Sequence, residues 1–110
     1  MEEKRICWIG RSRKELMAFP VGARREAGYQ LSLVQFGDDP EDWKPMRSVG
    51  VGVREIRIHE NGESRVLYIA TFKEAVYVLH AFVKKTQQTP KRDIDIAKTR
   101  FRQLKRGRER

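Results

Sequence analysis

A chain of 110 residues has room for one domain around one modest hydrophobic core. Apolar residues make up 39% of it, but 24 lysines and arginines against 15 acidic residues leave a net charge of +9. That excess implies a polyanionic partner, with nucleic acid ahead of an anionic membrane or an acidic protein inhibitor. The lone cysteine, Cys7, excludes a disulfide framework and a zinc knuckle, and no stretch has signal-peptide or membrane-span length. A reducing cytoplasm is the expected compartment, and no metal, small-molecule cofactor or membrane partner is expected.

In chain order, residues 4–9 are short and β-prone, and Gly10 closes them. Ser12 is placed to N-cap a short helix over Arg13 to Phe19. Pro20 suits the first position of a second helix, where its missing N–H costs nothing. Ala23, Ala27, Leu31 and Val34 share one face of that helix, and Gly37 stops it. The acidic stretch Asp38 to Pro45 reads as a loop, whose Trp43 either pins it to the core or stands exposed for stacking.

The period then changes to two. Strands are predicted over Val53 to Glu60, Ser64 to Phe72 and Ala75 to Val83, joined by tight turns at Glu60–Glu63 and Lys73–Glu74. Thr89-Pro90, a cap followed by a proline, marks the start of a last helix carrying Ile94, Ala97, Phe101 and Leu104 on one stripe, and residues 105–110 read as a frayed basic tail. The whole is a single α+β domain. Its small antiparallel sheet, a meander plus the N-terminal strand, packs against an N-terminal helical hairpin and a C-terminal helix.

Strand parity proposes a site. Ile56 and Ile58 point to one face, taken as core; Glu55, Arg57 and His59 point to the other, taken as wet. A three-residue loop Glu60-Asn61-Gly62, with Gly62 left-handed, would set Arg65 directly opposite Arg57 and place Val66 and Tyr68 beside the core. Two facing arginines repel by up to about 1 kcal/mol. Either a bound phosphate offsets this, or Glu55 or Glu63 neutralises the pair at a solvated surface. One of Lys84 and Lys85 shares the face of Arg65; parity alone does not say which. His80, among apolar neighbours, reads as a hydrogen-bonded core residue, and His59 as a more exposed candidate base.

These residues resemble a family. Val53-Arg54-Glu55-Ile56-Arg57-Ile58, Ser64-Arg65-Val66-Leu67-Tyr68 and the junction Lys84-Lys85-Thr86-Gln87-Gln88-Thr89-Pro90 look like the phage-type HigB branch of the RelE/ParE toxins. Trp8-Ile9-Gly10 and Leu16-Met17-Ala18-Phe19-Pro20 are similar too, so the resemblance spans roughly residues 4 to 104. It implies a RelE-like fold and a type II toxin that enters the ribosomal A site and cuts mRNA without a metal. The ribose 2′-hydroxyl attacks the adjacent phosphate and the 5′-oxygen leaves.

By motif position, Arg65 matches the strand arginine that acts on the scissile phosphate, Arg57 a basic position beside it, and Lys84 and Lys85 the basic pair at the end of the last strand. The tyrosine of the RelE branch has no counterpart among Thr86 to Ile96. Glu55 or His59 are the substitutes, and Tyr68 would serve only in the opposite parity. Arg54, Lys73, Lys91 and Arg92 are expected RNA contacts. The implied partners are a helix-turn-helix antitoxin (HigA-like), mRNA in the ribosomal A site, and ribosomal RNA. Two alternatives stand beside this: a ParE-like toxin acting on DNA gyrase without nuclease activity, and a non-toxic basic nucleic-acid-binding homologue.

Overall fold

The structure is a computed structural model that describes residues 2–109. In chain order it contains β1 (Arg5–Trp8), α1 (Ser12–Met17), α2 (Val21–Gln35), β2 (Trp43–Pro45), β3 (Val53–Ile58), β4 (Ser64–Ile69), β5 (Ala75–Val83) and α3 (Lys91–Arg108). The strands form one five-stranded sheet in the order β1-β5-β4-β3-β2. The meander β3–β4–β5 is antiparallel, but β1 runs parallel to β5, which makes the sheet mixed. No tight turn joins β1 to β5, so their connection does not require opposite directions.

Helices cover both faces. On one, Leu16 and Phe19 from the α1 region and Ala23, Ala27, Leu31 and Val34 of α2 pack on Ile56, Ile58, Val66, Tyr68, Val76 and Val78. On the other, Ala97, Phe101 and Leu104 of α3 pack on Val53, Leu67, Ile69, Tyr77 and Leu79. Central strand β4 is therefore buried at every position. The face expected to be wet is covered by α3, because a stripe of three apolar residues on that helix must itself be buried. No helix among the described residues is long and apolar enough to cross a membrane.

The helix starts differ from expectation in one consistent way. Pro20 and Pro90 occupy the N-cap positions, in extended conformation, and their carbonyls accept the first helical N–H bonds. The hydroxyls expected to cap are spent on tertiary bonds instead: Ser12 donates to the Val78 carbonyl at 3.0 Å, and Thr89 to Glu55 at 2.8 Å. The end of α2 follows the sequence signal. Gly37, at φ 91°, donates to the Val34 carbonyl and Asp38 to that of Leu33, the paired bonds of a Schellman motif.

Three further differences bear on the site. The predicted loop 38–45 contains β2, a short edge strand ending in a proline, which pairs Lys44 with Glu55. Trp43 is half-buried on that strand, with the Arg54 guanidinium 3.8 Å above its ring. The tail expected to fray is the last turn of α3 through Arg108. There Lys105 sits over the Phe101 ring and Arg108 lies over Phe72 while pairing with Glu74; Arg110 lies outside the described residues.

Candidate active site

The hairpin register places the arginines. Asn61 (φ 55°) and Gly62 (φ 99°) are both left-handed, a conformation glycine adopts freely and asparagine more readily than most residues. The turn they make pairs Arg57 with Arg65, Ile56 with Val66 and Arg54 with Tyr68. Arg57 and Arg65 thus share the face that α3 covers, while Tyr68 lies in the opposite core. The Tyr68 hydroxyl is buried there without a hydrogen-bond partner among the described residues, and burial raises its pKa. It is not on the arginine face.

A β-bulge decides between the two lysines. Along β4–β5, Tyr68 pairs with Val78 but Leu67 pairs with His80, so Leu79 is an extra residue. Beyond the bulge the parity of β5 is inverted, and Phe82, which pairs with Arg65, shares its face. Two residues on, so does Lys84, whose backbone N–H donates to the Glu63 carbonyl at 2.8 Å. Without the inserted residue, Lys85 would hold that place. Partial burial and the neighbouring charge of Arg65, joined by Lys44 and Arg57, lower the pKa of the Lys84 ammonium against the opposing pull of Glu55. Lys85 is exposed on the rim of the same open cleft, which is lined by Glu63, Arg65, Lys84, Lys85, Thr86 and Gln87.

Arg65 is only 6% exposed. Its Nη1 donates to the Ser64 carbonyl at 2.9 Å, its Nη2 meets Glu63 Oε1 at 2.9 Å, and its Nε stands 3.8 Å from Glu55 Oε1 without closing a hydrogen bond. Glu55 is fully enclosed: Oε2 accepts from Thr89, and Oε1 faces Arg65 and, at 3.7 Å, Lys44. Of the two ways to relieve the facing arginines, neutralisation by Glu55 and Glu63 is therefore present, within a covered site rather than on a solvated surface. Arg57 is half-buried, and its side chain makes no hydrogen bond or ion pair among the described residues.

His59 is exposed and lies between two carboxylates, with Nδ1 2.8 Å from Glu63 and Nε2 2.6 Å from Asp42. These hydrogen bonds, that to Asp42 first, raise its pKa. His59 in turn is the main cause of a lowered pKa at Glu63. The chain Asp42–His59–Glu63–Arg65 runs from the acidic loop to the base of the cleft.

The expected RNA contacts divide. Lys91 and Arg92 begin α3 just after Thr89 and are exposed; Lys91 pairs with Asp95 at 2.9 Å. Arg54 is on the opposite face, bonded to Asp39 at 2.8 Å, and Lys73 lies in the β4–β5 turn at the far end of the sheet. Neither joins the cluster.

Some members were missed by reading the sequence. Lys44 needed β2, and Thr89 was taken for a cap. His80 is the hydrogen-bonded core residue expected, but the network around it was missed: it bonds Glu15 (3.0 Å) and Asp93 (2.7 Å), while Arg100 holds Glu15 and the Leu79 carbonyl. It ties α1 and α3 to β5. Beside His80 itself, the polar residues on the otherwise apolar faces of these helices were its sequence signal.

A model of the family described as "Phage derived protein Gp49-like (DUF891)" matches residues 14–102. No curated protein sequence matches the chain. The matched span runs from within α1 through most of α3, and so includes every residue of the cleft.

Proposed function

The chain belongs to the phage-derived Gp49-like family, a toxin-like family of the RelE kind, and we propose that it is the toxin of a type II toxin–antitoxin pair that cleaves mRNA in the ribosomal A site. The observation that carries this reading is the placing of Arg65, Arg57 and Lys84 on one face of the sheet, with Arg65 and Lys84 lining an open cleft.

Metal-independent cleavage needs a cation for the charge that builds on phosphorus, an acceptor for the 2′ proton and a donor for the 5′-oxygen. Arg65, oriented by Glu55, provides the first, with Arg57 holding the flanking backbone. Lys84, whose neighbours make its ammonium a readier acid, donates to the leaving oxygen. His59 in its neutral form is the acceptor in this reading; Nδ1 keeps Glu63, and Nε2, which now faces Asp42, must leave that contact to take the proton. Glu55 is enclosed and tied to Thr89, so it orients Arg65 rather than touching the ribose. The neutralising partner is a helix-turn-helix antitoxin, to which the net charge of +9 offers a basic surface.

Induced expression in a bacterium, with mapping of transcript 5′ ends, tests the reading. Codon-phased cuts on translated messages that disappear in Arg65→Ala are expected. Toxicity with intact transcripts and a DNA-damage response would instead indicate a gyrase poison and overturn it.

A further inference from the structure

Arg65, the phosphate ligand of the function proposed above, is already occupied by the protein's own groups. Of its three contacts, the Ser64 carbonyl is backbone and Glu55 is enclosed; only Glu63 lies at the open cleft. A carboxylate presents to a guanidinium the same pair of oxygens that a phosphate does, at similar distance. Glu63 is also held for easy withdrawal. Its side chain is 42% exposed, its backbone is fixed by the bond from Lys84, and its carboxylate already receives His59 at 2.8 Å. Rotation of the side chain alone would release Arg65 and keep the histidine contact.

We infer that Glu63 occupies the seat on Arg65 that the substrate phosphate takes, and that it withdraws onto His59 when the phosphate binds. Glu63 is then a specificity-determining residue. An isolated anion must displace it unaided, whereas an RNA strand positioned by Arg57, Lys84 and the start of α3 brings further contacts that favour the exchange. The inference rests on Arg65 being the phosphate ligand.

Inorganic phosphate is a suitable probe, because it reports on the seat without the general attraction of a polyanion. Its binding is followed by NMR through the arginine Nε–H signals and backbone amides. Glu63→Gln is expected to bind phosphate about tenfold more tightly than the unaltered protein, the scale of one charge-assisted hydrogen bond. Glu60→Gln, an exposed carboxylate on the same turn, should change binding by less than about twofold, the scale of a screened surface charge. In the Arg65→Ala, Glu55→Gln background, which removes the buried cation together with its buried partner, the Glu63→Gln gain should vanish. A gain that persists there, or one matched by Glu60→Gln, overturns the latch while leaving Arg65 as phosphate ligand. Phosphate binding that is unaffected by loss of Arg65 overturns the reading of Arg65 itself.

Discussion

Lys84 reaches the arginine face through one inserted residue, Leu79, and the consequence is chemical. The bulge puts an ammonium in a partly buried place among Arg65, Lys44 and Arg57, where burial first and then these charges hold its pKa below the ordinary 10.5. On the other flank, hydrogen bonds to Asp42 and Glu63 raise His59 above its ordinary 6.5. The two shifts run toward each other. An acceptor histidine works above its pKa and a donor lysine below its own. Single-turnover cleavage on programmed ribosomes should therefore follow a bell whose limbs both lie inside the interval between 6.5 and 10.5. His59→Gln should remove the acid limb. Lys84→Ala should cost about a hundredfold or more in rate, the usual contribution of a general acid, and Lys85→Ala no more than a few-fold. Equal losses at the two lysines would contradict the bulge-dependent assignment. Before the bulge is known, alternation along β5 favours neither lysine, and the run Ala75–Val83 has no glycine or proline to mark an insertion.

At the scale of elements, α3 acts as the cover that makes the site. Thr89 fixes its approach to Glu55, Asp93 fixes its first turn to His80, and Arg100 fixes its middle to Glu15 and the Leu79 carbonyl. Glu15 is the centre of this clamp. Burial alone would raise its pKa, but the Arg100 hydrogen bond, the His80 charge and the Ala81 N–H outweigh burial and hold it below 4.5. A carboxyl depressed on folding contributes stability above its unfolded pKa and loses it as pH falls through the folded value. Urea unfolding of the protein should therefore weaken with acid below about pH 4.5, and part of that loss should be missing in Glu15→Gln. Arg100→Met, which strands Glu15 in a partly buried site, should destabilise by about 2–3 kcal/mol at neutral pH, somewhat under the cost of breaking a fully buried pair.

Elements with local signals were legible in sequence: the α2 face and its glycine stop, the three-residue Glu60-Asn61-Gly62 turn with the Arg57–Arg65 register that follows from it, and the α3 stripe. The clamp and β2 were not. Glu15 and Arg100 are 85 positions apart, and β2 is a three-residue edge strand ending in proline, whose pairing is set by its neighbour rather than by its own pattern.

Across the whole molecule, the net charge of +9 is too coarse to say where a nucleic acid would lie. The sheet sorts it. Arg57 faces Arg65 across the hairpin, Lys84 and Lys85 line the cleft with Arg65, and Lys91 and Arg92 open α3 just after Thr89, which bonds Glu55, while Arg54 is on the α2 face and Lys73 at the opposite end. Counterion release turns this placement into a measurement, since each phosphate neutralised on a single strand adds about 0.7 to the slope of log K against log salt. With uncleavable single-stranded RNA, the double variant Lys91→Ala, Arg92→Ala should lower that slope by about 1.4. The double variant Arg54→Ala, Lys73→Ala should leave it unchanged, although both variants remove two positive charges. If the two slopes fall equally, binding follows total charge and the cleft is not where RNA docks. If only the first falls, the strand runs along the end of the sheet that α3 and the hairpin enclose, past Arg65 and its Glu63 latch.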